Sequence, residues 1–183
     1  MNVSPPHRTM KLRLRVEDDW PSILDVWVAS WRATYPEIDF EARRDWLMRH
    51  VRDLEAVGGV TLCLFDAGST LDHAAFGQNR PNAEDVIDSK SLERALAGFV
   101  VINPADGWLD QICVAPDRFG AGLGASLLSA ARNISPNLIR LDVNADNLRA
   151  IRFYERDGFS RVGRGANTLS GRETIMMEWR PQR

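Results

Sequence analysis

A run of glycines lies between a predicted strand and a predicted helix, in the segment from Val114 to Ala125. Gly120, Gly122 and Gly124 alternate there with small or apolar residues. Glycine lets the backbone adopt positive φ and approach a ligand closely. The first N–H groups of a helix have no partner within the helix and carry partial positive charge. The segment is therefore expected to bind a phosphate or another anion, although the same glycines would also suit a tight strand-to-helix connection.

Two known phosphate-binding motifs can be compared with this segment. Gly120, Gly122 and Ala125 fit a relaxed dinucleotide fingerprint, and Asp142 follows at a strand end. In that motif, however, the first glycine directly follows its strand, whereas residues 116–119 intervene here, and the chain ends in a predicted hairpin. The dinucleotide interpretation is therefore the weaker one. A P-loop is excluded, because no Gly-Lys-Ser/Thr follows the glycines.

Hydrophobic periodicity places the glycine segment within a series of strands and helices. The predicted order is β-α-α-β-β-β-α-β-α-β-β, beginning with the alternating segment Lys11–Val16, which predicts a strand with one face in solvent. This order predicts a single α/β domain with a mixed sheet over residues 10–183. Residues 1–9 are expected to form a flexible N-terminus, and residues 67–93 a long loop or insertion, because they lack clear periodicity.

Composition excludes several classes of protein. The 183 residues carry a net charge of −2, with 23 Lys and Arg against 25 Asp and Glu, so no basic excess favours nucleic-acid binding. No apolar run is long enough to span a membrane, and no secretory signal is visible, so a cytoplasmic location is expected. Cys63 and Cys113 lie in apolar runs and are predicted to be reduced and buried. The three histidines are scattered, so no metal site is expected.

Two motifs, in order and correctly spaced, resemble the GNAT superfamily of acyl-CoA-dependent N-acetyltransferases. The family's first motif, V-x-P followed by (Q/R)-x-x-G-x-(G/A), is matched by Val114-Ala115-Pro116 and by Phe119-Gly120-Ala121-Gly122-Leu123-Gly124. The second, N-x-x-A-x-x-F-Y-E-x-x-G-F, is matched by Asn147, Ala150, Phe153, Tyr154, Glu155, Gly158 and Phe159. Phe119 departs from the pattern, because the family usually has Gln or Arg there, and Arg118 lies beside it.

The resemblance implies a mixed, mostly antiparallel sheet whose central parallel strands splay apart, with acetyl-CoA as cosubstrate between them. The two strands would be Leu109–Val114 and Leu138–Val143. Pantetheine would pair with backbone groups around Ile112, Cys113 and Val114, and Asn147 would cap its helix, contact the cofactor chain, or do both. The turn implied to hold the pyrophosphate comprises Phe119, Gly120, Ala121, Gly122, Leu123, Gly124 and Ala125.

The resemblance also implies the reacting groups of a direct acetyl transfer to a primary amine. Tyr154 matches the family tyrosine that donates a proton to the departing sulfur, and a phenol of pKa about 10 is protonated at neutral pH. Asp110, or a water held by it, would accept the amine's proton. Strict alternation puts Asp110 on the same side of its strand as Ile112 and Val114, and Gln111 on the other side. Asp110 could instead serve an ion pair, and Tyr154 a core position.

Aromatic residues of the first two helices border the acceptor cleft that the resemblance implies. Trp27, Trp31, Tyr35 and Trp46 occur there, and Trp31 and Tyr35 are the predicted substrate contacts. A small-molecule amine or a peptide amine is expected as acceptor, without nucleic-acid or membrane partners, and homodimers are common in the family. A second interpretation is an acyl-CoA-binding regulatory module without catalysis.

Overall fold

A computed structural model describes residues 10–66, 95–168 and 170–182, in which the predicted order of strands and helices is confirmed. The elements are β1 (Met10–Leu14), α1 (Trp20–Arg32), α2 (Arg44–Ala56), β2 (Val60–Asp66), β3 (Leu96–Asn103), β4 (Trp108–Val114), α3 (Leu123–Ile134), β5 (Ile139–Asn144), α4 (Leu148–Arg156), β6 (Ser160–Ala166) and β7 (Glu173–Trp179). The predicted flexible N-terminus and all of the predicted 67–93 connection lie outside the described residues.

The described strands form one 7-stranded mixed sheet in the order β1-β2-β3-β4-β5-β7-β6. Neighbouring strands are antiparallel except β4 and β5, which are parallel and pair only where Trp108 lies opposite Arg140. Beyond that pair the two strands diverge, which confirms the predicted splay. This largely antiparallel order also differs from the doubly wound parallel sheet that the dinucleotide interpretation requires.

The sheet separates two hydrophobic clusters, as expected for helices packed on both of its faces. The cluster beside α3 and α4 includes the fully buried Leu127, Leu128, Ile139, Leu141, Ile151 and Met177. The cluster beside α1 and α2 includes the fully buried Ile23, Leu47, Val51 and Phe99. Both clusters reach β4, so the central strand carries side chains of each core.

Strand β4 contains a β-bulge at Asp110. The register with β3 shifts at this point, so that Asp110 is the extra residue and has no partner on β3. The predicted alternation, which put Asp110 on the side of Ile112 and Val114, is therefore wrong. Instead the carboxylate lies with Gln111 and contacts His50 of α2, whereas Ile112 packs against the cluster beside α3. A bulge resets the alternation because it adds one residue to one strand only.

The alternating segment at the start of the chain forms β1, with its leucine side in solvent. Leu12 and Leu14 are exposed by 41% and 63%. Arg13 turns toward the helices, where its guanidinium donates to both carboxylate oxygens of buried Asp19 at 2.6 and 2.7 Å and lies over the ring of Phe65. The period predicted the strand, but the face of β1 that packs against the protein carries Arg13 and not the leucines.

Among the described residues no helix is both long and apolar enough for a membrane span.

Truncation of Leu127 in α3 tests the role of the cluster beside α3. Leu127→Ala should lower the free energy of unfolding by about 2–5 kcal/mol, because the fully buried side chain leaves a cavity. The matched control is Leu148→Ala on α4, which removes an exposed leucine and should change stability by less than about 0.5 kcal/mol. Urea denaturation measures both variants, and equal losses would contradict this packing.

Candidate active site

A cavity of about 990 Å³ opens where β4 and β5 diverge. Its walls are the two strands, the turn before α3, one face of α4, the C-terminal end of α1 and the first half of α2. Because the pairing of β4 with β5 stops at Trp108, the edge of β4 that faces β5 has backbone groups without a strand partner. Ile112, Cys113 and Val114 line the cavity on this edge, where a ligand amide could pair with them.

The glycine turn presents free amides to this cavity. Gly120 and Gly122 have φ of 81° and 80°, a conformation that other residues rarely adopt, and Gly122 is the N-cap of α3. In the described part of the chain no acceptor is found for the amides of Gly120, Gly122, Leu123, Gly124 and Ala125. Since α3 directs its N-terminal partial charge the same way, the turn has the features of an anion site.

One residue of the predicted turn does not take part. The amide of Ala121 donates to the carbonyl of Arg118 at 3.2 Å, and Ala121 does not line the cavity. The structure therefore gives no support for the predicted cofactor contact by Ala121. Gly124, in contrast, faces α4: a Cβ there would lie 3.1 Å from the ring of Phe153, a contact tight enough that the ring would have to shift.

Tyr154 lies on α4 with its side chain between the core and the cavity. The residue is 6% exposed, its ring packs against Phe153 and Phe159 with centroids 5.1 and 5.3 Å away, and it lines the cavity. Its hydroxyl makes no hydrogen bond with the described residues. Burial raises the pKa of the phenol above its usual value of 10.0. The group is therefore protonated near neutral pH and available as a donor.

Asp110 forms a pair with His50 that sequence reasoning missed. His50 Nε2 lies 3.0 and 2.9 Å from the two carboxylate oxygens, and the Gln111 amide donates to one of them at 3.1 Å. The imidazole stacks on Trp46 with centroids 4.8 Å apart. Hydrogen bonding to Asp110 raises the pKa of His50 above 6.5, against the opposing effect of burial. The two residues are far apart in sequence and no spacing links them, so only the packing of α2 on β4 reveals the pair.

The predicted substrate residues differ in their placement. Trp31 lines the cavity and stacks against Tyr35, with centroids 5.9 Å apart. Tyr35 does not line it: the residue is buried, its hydroxyl donates to Asp146 at 2.5 Å, and Asn144 donates to its oxygen at 3.2 Å. Burial and the bond to Asp146 raise the pKa of Tyr35 to about 12. The prediction of a substrate contact by Tyr35 is therefore not supported, because its polar atom is already satisfied within the protein.

The remaining predicted residues occupy the rim and the α4 side. Phe119 lines the cavity, and the guanidinium of Arg149 lies 4.0 Å from the centroid of its ring. Arg118 is held instead by Asp66 at 2.8 Å and by the neighbouring Asp117. Asn147 also lines the cavity, and its side-chain oxygen accepts from the amide of Ala150 at 3.1 Å, so the predicted helix cap is confirmed.

The chain's two cysteines are buried and reduced, as predicted. Burial raises the pKa of Cys113 to about 12, although a hydrogen bond with Ser30 acts in the opposite direction. A thiol of such high pKa carries almost no thiolate near neutral pH, so Cys113 is a poor nucleophile. Within the described ranges no group of His, Cys, Asp and Glu is arranged to hold a metal ion.

A family model and individual relatives of known name both match this chain, and all of them are acetyltransferases. A family model described as the acetyltransferase (GNAT) family matches residues 20–159. Mycothiol acetyltransferase of Kineococcus radiotolerans is 41% identical over 81 residues, which are 42% of this chain and 27% of that protein. Aminoglycoside N(6′)-acetyltransferase type 1 of Klebsiella pneumoniae is 32% identical over 98 residues, 45% of this chain and 48% of that protein. The matched part of the chain thus spans less than half the length of each relative.

Solved structures share the fold. PaiA N-acetyltransferase of Thermoplasma acidophilum, in complex with coenzyme A, superimposes with a TM-score of 0.64 at 19% identity, covering 94% of this chain and 99% of that one. A GCN5-related N-acetyltransferase of Rhodopseudomonas palustris gives a TM-score of 0.63 at 18% identity, covering 96% and 100%. At these identities the likeness concerns the fold alone.

The two tyrosines provide a matched test of the hydrogen bonds described above. Tyr35→Phe should lower the free energy of unfolding by about 1–3 kcal/mol, because Asn144 and Asp146 lose a buried partner. Tyr154→Phe should change it by less than about 0.5 kcal/mol, since that hydroxyl has no hydrogen bond to lose among the described residues. Chemical denaturation compares them, and a loss in Tyr154→Phe as large as in Tyr35→Phe would contradict this assignment.

Proposed function

The chain belongs to the acetyltransferase (GNAT) family, and on that premise we propose that it transfers an acetyl group from acetyl-CoA directly to a primary amine. One observation carries the proposal: free amides at the start of α3, the open edge of β4 and the phenol of Tyr154 all border one cavity. These three features suit an anion, a chain that contains amides, and a sulfur leaving group. Coenzyme A carries all three in one molecule. The residues present therefore fit this cosubstrate.

Acetyl-CoA would lie along the turn and the open edge of β4. The free amides of Gly120, Gly122 and Leu123 would bind its pyrophosphate, since the first amides of a helix favour a dianion. Backbone groups of Ile112 and Val114 would pair with its pantetheine amides, as a neighbouring strand would do. Backbone contacts explain how a largely apolar segment can bind a polar molecule.

The acceptor would be an amine on a small polar molecule or a peptide. The relatives' names, mycothiol and aminoglycoside acetyltransferases, support a small polar acceptor. On the side of α1 and α2 the cavity offers the carboxylate of Asp110, the indole of Trp46 and the side chain of Trp31. A carboxylate next to aromatic faces suits an ammonium group, which both attract. A cytoplasmic location and a homodimer stay predictions.

The Asp110–His50 pair would accept the proton of the amine. An alkyl amine of pKa about 10 is mostly charged at neutral pH and must lose a proton before it can attack. Because His50 lies against both oxygens of Asp110, the proton is shared by the pair rather than held by one residue. The half-exposed imidazole gives the proton a path to solvent.

Tyr154 would assist the departure of the thiol. The amine nitrogen forms a bond to the carbonyl carbon, the carbon–sulfur bond breaks, and the sulfur takes the bonding electron pair. After attack the nitrogen releases its remaining excess proton to solvent, the phenol donates its proton to the sulfur, and the phenol regains a proton from solvent, so the products are an amide and the free thiol of coenzyme A. Burial raises the pKa of Tyr154, so the phenol is protonated and able to donate, and the same burial disfavours a bare thiolate in the cleft. Transfer would be direct, because burial raises the pKa of Cys113 and makes its thiol a poor nucleophile for an acyl-enzyme.

An acceptor screen tests the reaction. The full chain is incubated with acetyl-CoA and a panel of amino sugars, polyamines, amino acids and peptides, and both the released thiol and the mass of the acetylated product are measured. Thiol release with a matching acetylated product supports the proposal. Coenzyme A binding by calorimetry without turnover on any amine would favour the regulatory module instead, and absence of binding would overturn both.

Loss of the Tyr154 hydroxyl should reduce turnover without reducing binding. Tyr154→Phe is expected to lower kcat about a hundredfold, with little change in KM for acetyl-CoA, because the donor to the departing sulfur is lost. Steady-state thiol release measures both constants. Tyr35→Phe, the same change at a tyrosine outside the cavity lining, should largely retain kcat at a temperature where it is folded. Unchanged turnover in Tyr154→Phe would exclude the phenol from the reaction.

The pH dependence should follow the Asp110–His50 pair. The pKa of His50 is raised above 6.5, so His50 is protonated at low pH. The pair can accept the amine's proton only at pH values above that pKa, where His50 has lost its own. We expect kcat/KM to rise with pH through a value above 6.5. In His50→Gln the amide still donates to Asp110 but does not titrate, so this limb should shift or disappear. An unchanged pH profile in the variant would show that the pair is not the proton acceptor.

A further inference from the structure

The glycine turn contains no cationic side chain that is free to meet a phosphate. Phe119 stands where the family motif has Gln or Arg, and its ring carries no charge. Arg118, the neighbouring cation, is engaged by Asp66 at 2.8 Å and by Asp117 at 3.1 Å. The amides of the turn supply only partial charge, whereas a pyrophosphate carries whole negative charges. A further cation is therefore expected from another element.

Arg149 on the first turn of α4 is placed to provide this charge. Its guanidinium carbon lies 4.0 Å from the centroid of the Phe119 ring, and both residues line the cavity. No carboxylate among the described residues pairs with Arg149, so its charge and its N–H donors are not already used. Because Phe119 belongs to the glycine turn, the contact with its ring places Arg149 beside the turn that carries the free amides.

Resting on the function proposed above, we propose that Phe119 and Arg149 act together as a phosphate clamp, in which Arg149 binds the pyrophosphate of coenzyme A from the α4 side. The planar guanidinium can donate two parallel hydrogen bonds to phosphate oxygens. The ring of Phe119 holds the guanidinium over the turn by a cation–π contact and limits its conformational freedom. Phe119 is the positioning residue and Arg149 the binding residue. The departure from the family motif is then compensated by a residue of the next helix.

The proposal predicts that the effects of Phe119 and Arg149 on coenzyme A binding are energetically coupled. If Phe119 acts only by holding Arg149, its effect on binding must disappear when Arg149 is absent. If Phe119 contacts the ligand by itself, the two effects must add. A double-mutant cycle therefore separates a clamp from two independent contacts.

The test measures the dissociation constants of coenzyme A and dephospho-coenzyme A by calorimetry. Arg149→Ala should weaken both ligands about tenfold, the loss expected for a hydrogen-bonded charge. Phe119→Leu should weaken both about threefold, in the range of an exposed cation–π contact. The double variant should bind as weakly as Arg149→Ala alone. Arg164→Ala on β6, exposed and paired with Glu173, removes the same charge away from the cavity and should bind like the unmodified chain.

Each contrary outcome has a distinct meaning. Unchanged binding in Arg149→Ala, with the protein shown to be folded by thermal unfolding, would overturn the clamp while leaving acetyl transfer intact. Additive losses in the double variant would overturn the positioning role of Phe119. A loss for coenzyme A but not for dephospho-coenzyme A would assign Arg149 to the 3′-phosphate and overturn the pyrophosphate assignment. Failure of the unmodified chain to bind coenzyme A would contradict the proposed function itself.

Discussion

The site depends on the divergence of two parallel strands. β4 and β5 pair only at Trp108 and Arg140, and every other neighbouring pair in the described sheet is antiparallel. Parallel neighbours cannot be joined by a tight turn, so the chain must leave β4, cross over through α3 and return. The start of α3 therefore lies at the open end of the gap. One topological feature thus places unpaired strand edges and unpaired helix amides side by side, and the proposed cosubstrate requires both.

The gap also gives access to side chains from both faces of the sheet. On one face α3 and α4 pack into a cluster that includes Tyr154, and on the other α1 and α2 pack into a cluster that borders His50 and Trp46. In the proposed reaction the group that assists the leaving sulfur and the pair that accepts the amine's proton come from these opposite layers. A closed sheet would keep the two layers apart. The bulge at Asp110 turns its carboxylate toward α2, where it forms the pair with His50.

Several polar contacts hold the walls of the cavity rather than bind a ligand. Tyr35 joins the end of α1 to Asn144 of β5 and to Asp146 before α4, and the guanidinium of Arg172 lies 4.6 Å from the centroid of its ring. Arg118 ties the glycine turn to Asp66 at the end of β2. Each contact satisfies a buried or half-buried polar group, and in doing so fixes one segment of the cavity wall to the sheet.

Sequence alone determined what is local in this protein. The order of strands and helices follows from hydrophobic period, and the turn before α3 follows from glycines that allow a positive φ. The resemblance to a family added the splay of the central strands and the motif that singles out Tyr154 and Asn147. Tertiary structure decided what depends on contacts between distant elements. The phase of β4 after its bulge, the His50–Asp110 pair, the inward hydroxyl of Tyr35 and the stacking of Arg149 on Phe119 all join residues whose separation no period encodes. These contacts depend on strand register and on which face of a helix meets the sheet, and both are set only when the whole core packs.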